Sequence, residues 1–220
     1  MNEFDIKAAG WDQNPMHWDR SQAIAKGIIK FIPLNKEMTV LEYGAGTGIT
    51  SLLLKDLVKE ITLMDNSSEM VRIMNEKIRV TKTKNMNALN YDLEHSDYKN
   101  EKFDLIITQM VLHHITDTED IIKKFYELLN PGGYLAIADL YPEDGSFHGD
   151  DFTGHRGFDV EILSNRIRNQ GFTDISHRKC FVINKIIAGN VKKQFDVFLM
   201  ISKRVKIINL FIHCFIVIML

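Results

Sequence analysis

The sequence predicts an α/β fold: a doubly wound sheet of seven strands, mostly parallel with an antiparallel strand seven, and helices on both faces. Three observations predict it. Apolar runs alternate with amphipathic segments of helical period five times, and two strand-like runs close the chain. A glycine-rich turn directly follows the first apolar run. The second apolar run ends in an acidic residue, which places a carboxylate at the same sheet edge as the turn.

Length and charge narrow the classes of function. A chain of 220 residues with 45% hydrophobic residues fits one domain, which we place at residues 1–204 with an N-terminal helical cap at 1–35. The net charge of −2 gives no electrostatic case for a nucleic-acid partner. Cys180 and Cys214 lie far apart, and no signal peptide is visible at the N-terminus, so we expect a reduced, cytoplasmic setting.

The elements follow in order. Arg20 to Ile32 has helical spacing and ends at Pro33. The later predicted strands are 61–65, 85–89, 103–108, 134–140, 175–187 and 195–202, and the later helices are 51–57, 68–79, 118–129 and 159–169. Between them, Tyr141 to Phe158 is a long irregular stretch, and such loops are usually functional. Its histidines and aspartates are metal-ligand types, but a solvated loop is the simpler interpretation.

The glycine turn is the most informative stretch. Met38 to Leu41 is a buried strand, and Gly44, Gly46 and Gly48 follow at alternate positions. The dinucleotide pattern is G-x-G-x-x-G, whereas this spacing is G-x-G-x-G with Glu42 ahead of it. A carboxylate there repels a pyrophosphate and suits a ligand with an ammonium group. A plain turn without a ligand is the alternative.

The pattern from Glu42 to Gly48 resembles motif I of the class I S-adenosylmethionine (SAM) methyltransferases, which have a Rossmann-like fold. The resemblance covers residues 35–204 and includes Asp65, Asp92 and the run Leu129 to Leu135 in the same order. It implies SAM as the cofactor. The cofactor-binding residues that it implies are Glu42, Gly44, Ala45, Gly46, Gly48, Asp65, Asn66, Asp92, Leu93 and Gln109.

The implied roles follow the parts of SAM. The turn packs against the amino-acid end, and Asp65 accepts hydrogen bonds from the ribose diol. A helix start at Asn66 is the structural alternative for this segment, and it is compatible with ribose binding by Asp65. Asp92 matches the acid that accepts from the adenine amine, with Leu93 beside the base, although an Asx turn also explains Asp92.

The segment after strand four faces the sulfonium and the methyl acceptor in this family. His113 or His114 is therefore a candidate general base or orienting group, against a structural role for each. Because adjacent residues point to different faces, the two are not expected to serve one atom. Trp18 in the cap and Tyr141 and His148 in the long loop are candidate substrate contacts. Packing against the sheet is the alternative for Trp18.

Two absences narrow the chemistry. The chain lacks the N/D-P-P-Y/F tetrad of amino-group methylases. Asp139 is the one acid at the ends of strands four and five, and a magnesium site there needs a second carboxylate, so no metal is expected. The resemblance then implies direct SN2 transfer to a small-molecule acceptor. An NAD-dependent oxidoreductase and a non-catalytic SAM-binding protein stay open as alternatives.

The last 14 residues, 207–220, are apolar and follow a basic stretch. They are shorter than the roughly 20 residues that span a bilayer. Contact with a membrane surface is possible, but we favour an extension outside the fold or a dimer contact, and the sequence does not fix the oligomeric state.

Overall fold

The computed structural model describes residues 3–206. The helices are α1 (Glu3–Ala8), α2 (Pro15–Phe31), α3 (Ile49–Leu54), α4 (Ser68–Val80), α5 (Thr118–Leu128) and α6 (Val160–Asn169). The strands are β1 (Thr39–Tyr43), β2 (Glu60–Asp65), β3 (Met86–Asn90), β4 (Phe103–Gln109), β5 (Leu129–Leu140), β6 (Phe172–Ile187) and β7 (Val191–Arg204). Short 3₁₀ helices occupy Trp11–Gln13, Lys55–Leu57, Leu112–His114 and Ala188–Asn190.

The strands form one sheet in the order β3-β2-β1-β4-β5-β7-β6. Strands β1 to β5 pair in parallel, and β7 is antiparallel to both β5 and β6. The predicted fold class is therefore confirmed. The strand order reverses between β1 and β4, and ligands of doubly wound sheets bind in the crevice at such a switch point.

Successive strand residues point to opposite faces, so the sheet has two cores. Val40 belongs to the core covered by α2, α3 and α4, whereas its neighbour Leu41 belongs to the core covered by α5 and α6. On the first face Ile28 of α2 is fully buried, and on the second Phe125 of α5 is 1% exposed. The two cores hold the carboxyl ends of β1, β2 and β4 at one edge.

Several sequence-based boundaries shift. Helix α3 ends at Leu54 and continues only as a 3₁₀ turn, and the closing hairpin is longer than predicted because β6 starts at Phe172 and β7 runs on to Arg204. Residues 141–158 contain neither helix nor strand, as expected. The prediction about 207–220 lies outside the described residues. No helix within residues 3–206 is long and apolar enough to cross a membrane.

Candidate active site

A cavity of about 610 Å³ lies at the switch point, at the carboxyl ends of β1, β2 and β4. Helix α1, the 3₁₀ turn Trp11–Gln13 and the start of α2 form one wall, and the 141–158 loop and β6 supply another. The predicted site residues that line it are Gly44, Ala45, Gly46, Asp65, Asn66, Gln109, His113, His114 and His148. The structure therefore brings most of the predicted site together.

The glycine turn has a backbone that other residues cannot adopt easily. The N–H groups of Gly44 and Ala45 both donate to Met64 O, at 2.8 and 3.0 Å, which ties the turn to β2. Gly44 has φ of +67°, and a Cβ there would lie 2.2 Å from a methyl carbon of Val111. At Gly46 the nearest atom to a Cβ would be the indole nitrogen of Trp11 at 3.7 Å. Val111 therefore packs closely against the turn at Gly44, whereas the turn at Gly46 is open to the cavity.

Glu42 lies behind the turn and outside the cavity lining. It is fully buried, and its carboxylate accepts hydrogen bonds from both the N–H and the hydroxyl of Ser51 in α3. Its second oxygen has no hydrogen-bond partner, and burial raises the pKa of this carboxyl to about 7. In this arrangement Glu42 joins β1 to α3, and its contact with a ligand's ammonium group stays a prediction.

Asp65 closes the other side of the turn. Its two oxygens accept from the backbone N–H groups of Gly46, at 2.8 Å, and Ser67, at 2.9 Å. Burial raises the pKa of this carboxyl to about 6. Asp65 lines the cavity, and these two bonds leave lone pairs on the carboxylate that a ligand hydroxyl can use.

Three further predicted cofactor residues do not line the cavity. Gly48 has φ of +76° and begins α3, where a Cβ would lie 2.9 Å from Leu63. Asp92 makes an Asx turn, since its carboxylate accepts from the N–H of Glu94 at 2.9 Å. Leu93 is fully buried in the core beneath. The adenine roles of Asp92 and Leu93 and the role of Gly48 in the turn stay predictions.

His113 and His114 lie in the 3₁₀ turn that follows β4, and both rings line the cavity. Their centroids are 4.2 Å apart, so the expectation that the adjacent side chains diverge is wrong. Met110 has φ of +55°, which turns the chain sharply, and a tight 3₁₀ turn does not alternate its side chains as a strand does.

Asp139, at the end of β5, orients His113. The Asp139 carboxylate is fully buried and bonds Nδ1 of His113 at 2.7 Å, and it also accepts from the His113 N–H at 3.2 Å. A carboxylate is an acceptor, so Nδ1 carries the hydrogen and Nε2 carries the free lone pair. The sequence pointed to the two histidines but not to this partner.

His148 reaches the same place from the long loop. Its ring centroid lies 5.0 Å from that of His113 and 5.1 Å from that of His114. The loop is anchored because the N–H of His155 donates to His113 O at 2.8 Å and Gly154 packs so closely that a Cβ would meet the same oxygen. Burial, together with the neighbouring His113, lowers the pKa of His114 to about 4 and that of His148 to about 3.

The other two predicted substrate contacts lie outside the cavity lining. Trp18 is on α2, and Tyr141 packs on Phe198 with ring centroids 5.5 Å apart. Trp11 occupies the cavity wall instead, stacked on His17 at 4.0 Å. Helix α2 starts at Pro15, five residues before the predicted start, which places His17 rather than Trp18 on its cavity side.

Arg20 is a cavity residue that the sequence analysis did not single out. It is 6% exposed, its Nε has no hydrogen-bond partner, and its Nη1 makes only a long contact of 3.8 Å with the sulfur of Met16. Burial lowers the pKa of the guanidinium to about 10. The sequence could have indicated that Arg20 is buried, because Arg20 shares one helical face with the buried Ile24 and Ile28.

The N-terminal wall is fastened to the glycine turn and to α4. Asp12 accepts from the hydroxyl of Thr47 at 2.6 Å and pairs with Lys77 at 2.5 Å. Asp5 of α1 accepts from the hydroxyl of Ser67 at 2.6 Å. These contacts hold α1 and the Trp11–Gln13 turn across the mouth of the cavity, as a cap that excludes water requires.

Comparisons with known proteins agree with this geometry. A family model described as "Methyltransferase domain" matches residues 16–182. An uncharacterized methyltransferase of Schizosaccharomyces pombe is 29% identical over 62% of this chain, and the match spans 54% of that relative's length. An uncharacterized methyltransferase of Staphylococcus carnosus is 31% identical over 66% of this chain and 68% of its own.

Solved structures share the fold. A Haloferax volcanii methyltransferase in complex with the Trm112 activator matches with a TM-score of 0.73 and 18% identity, over 93% of this chain and 99% of that one. A Haemonchus contortus phosphoethanolamine N-methyltransferase in complex with S-adenosylhomocysteine matches with a TM-score of 0.67 and 15% identity, over 86% of this chain and 53% of that one. The chain therefore belongs to the class I SAM-dependent methyltransferases, enzymes that use SAM as cofactor.

Proposed function

We propose that the protein transfers the methyl group of SAM to a small-molecule acceptor by direct SN2 displacement. The size of the cavity carries this proposal. Pockets for small ligands measure about 300–1,000 Å³, and the cavity of about 610 Å³ at the switch point must accommodate both the cofactor and the acceptor. A second molecule that fits beside SAM in this volume is small.

The cavity residues fit the parts of SAM. The turn at Gly44 and Gly46 offers a surface without side chains, and Asp65 offers carboxylate lone pairs for the ribose diol. We assign the methionyl carboxylate to Arg20, whose buried guanidinium needs an anion. Bound SAM supplies an electrophilic methyl group.

The histidine side of the cavity is assigned to the acceptor. His113 presents Nε2 to it because Asp139 holds Nδ1. Displacement at a sulfonium loses charge in the transition state, so alignment and exclusion of water are the main contributions the protein makes. Trp11 and Phe147 add apolar surface to the cavity from its two walls.

Replacing Asp65 tests the cofactor site. Hydrogen bonds to charged groups contribute about 1.5–3 kcal/mol each, so we expect Asp65→Ala to weaken SAM binding at least tenfold in calorimetry while circular dichroism stays unchanged. The matched control is Asp19→Ala, an exposed aspartate on α2. Near-normal SAM affinity in Asp65→Ala would contradict the ribose assignment.

Labelled methyl transfer tests the acceptor class. The enzyme is incubated with SAM carrying a radioactive methyl group and a cell extract divided into small-molecule and macromolecular fractions. We expect label in the small-molecule fraction. Label in macromolecules refutes a small acceptor, and label in neither fraction with intact SAM binding favours a non-catalytic SAM-binding protein.

A further inference from the structure

We propose that His113, His114 and His148 together bind one divalent transition-metal ion, with zinc as the best match. One ring nitrogen of each histidine lies within 4.8 Å of a ring nitrogen of each of the others. The sequence did not group these three histidines, because two of the ligands come from the turn after β4 and the third from a loop more than 30 residues later.

The type of donor selects the metal. Imidazole nitrogens suit zinc and neighbouring first-row ions, whereas magnesium and calcium prefer oxygen ligands. Three protein ligands with a fourth position free are the arrangement of catalytic zinc sites. All three histidines line the cavity, so a bound ion would take its fourth ligand from there, either water or a heteroatom of the acceptor.

Asp139 supplies the support that a metal-binding histidine normally has. Such histidines donate their other ring N–H to a carboxylate, which fixes the tautomer and the orientation of the ring. The bond of 2.7 Å between Nδ1 of His113 and Asp139 leaves Nε2 as the ligand atom. Both partners are almost fully buried, at 1% and 0% exposure of their side chains.

The three ring nitrogens need to move only slightly closer together to bind zinc. Tetrahedral zinc with bonds of about 2.0–2.1 Å separates its nitrogen ligands by about 3.3 Å, against the present limit of 4.8 Å. His148 is the exposed member of the group and lies on the loop, so it can move. Its ring stacks on Phe152 at 3.9 Å, and the ring of Phe152 also contacts His114 at 5.3 Å, which holds the rings near one another.

The metal site also indicates the chemical class of the methyl acceptor, and this inference alone rests on the proposed function. A metal in the acceptor half of the cavity favours a substrate with an oxygen or sulfur atom that ligates it, such as an alcohol, a phenol or a thiol. Coordination lowers the pKa of such a group, whose proton then leaves to solvent.

Zinc titration of untagged, chelator-treated full-length enzyme tests the site, and cobalt(II) absorption reports the ligand types. We expect one equivalent of zinc to bind and cobalt to show a four-coordinate visible spectrum without a thiolate charge-transfer band, since Cys180 takes no part. His148→Ala should weaken zinc binding at least tenfold, and Asp139→Asn should weaken it about 10–100-fold.

His95→Ala is the matched control, because Asp92, Glu94 and His95 form the other cluster of suitable side chains in residues 3–206 and His95 is its exposed member. The proposal is overturned if zinc binding does not saturate, if His95→Ala weakens it as much as His148→Ala does, or if cobalt binds through thiolate. SAM binding is measured on the same metal-free protein, so failure of the metal site and failure of the methyltransferase function give different results.

Discussion

Replacing Arg20 by methionine should stabilise the empty enzyme and weaken its binding of SAM. Arg20 is 6% exposed, and its Nε has no hydrogen-bond partner. Burial lowers the pKa of its guanidinium from the ordinary value to about 10. Each pH unit corresponds to about 1.4 kcal/mol, so enclosing the charged form costs about 3 kcal/mol. A methionine of similar length removes this cost and keeps most of the packing.

The expected result is a free energy of unfolding that rises by up to about 3 kcal/mol in urea, with an unchanged m-value. Affinity for SAM, measured by calorimetry, should fall about tenfold to a hundredfold, because a hydrogen bond to a charged group is worth about 1.5–3 kcal/mol. Arg168→Met, an exposed arginine on α6, is the control and should change neither quantity.

The opposite pattern would refute this reasoning. If Arg20→Met lowers the free energy of unfolding by more than about 1 kcal/mol and leaves SAM affinity unchanged, then Arg20 is a structural residue and the methionyl carboxylate binds elsewhere.

Two other predictions concern the glycine turn and its surroundings. Gly44→Ala places a Cβ 2.2 Å from Val111 at φ of +67°, so it should lower the free energy of unfolding by at least about 2 kcal/mol, measured by thermal unfolding. Gly10→Ala is the control, because a Cβ there meets nothing within 4 Å. Equal melting temperatures of the two variants would exclude the clash. Glu42→Gln should flatten the pH dependence of stability. Because folding raises the pKa of Glu42 from 4.5 to about 7, the folded state holds this proton more tightly, so its contribution is full below pH 4.5 and is lost as the pH rises through 7, by about 3 kcal/mol. The difference between wild type and variant in urea unfolding at pH 5 and pH 8 measures it, and identical slopes would contradict the buried-carboxyl argument.

Local patterns were sufficient for the type and order of the elements and for the glycine turn with Asp65 beside it. The period of the apolar residues predicts strand and helix, and parallel strands with right-handed crossovers bring the ends of β1 and β2 to one edge. Asp65 therefore lies beside Gly46, as its position after the second strand predicts. Arg20 was also within reach of the sequence, since it interrupts an apolar helical face.

The meeting of the three histidines could not be predicted in the same way. The convergence of His113 and His114 depends on the positive φ of Met110 and a single 3₁₀ turn, which periodicity does not encode. The approach of His148 depends on a loop that carries no regular period and is anchored by hydrogen bonds to that turn.

The sequence by itself determined the fold class, the glycine turn and the acid beside it, because each depends on residues that are neighbours in the chain or on one sheet edge. The tertiary structure alone decided that Glu42 faces α3 rather than the cavity, that Trp11 replaces Trp18 at the wall, and that three histidines meet. These outcomes depend on how a helix and a loop pack over the sheet edge, and packing is settled by contacts between residues far apart in the chain.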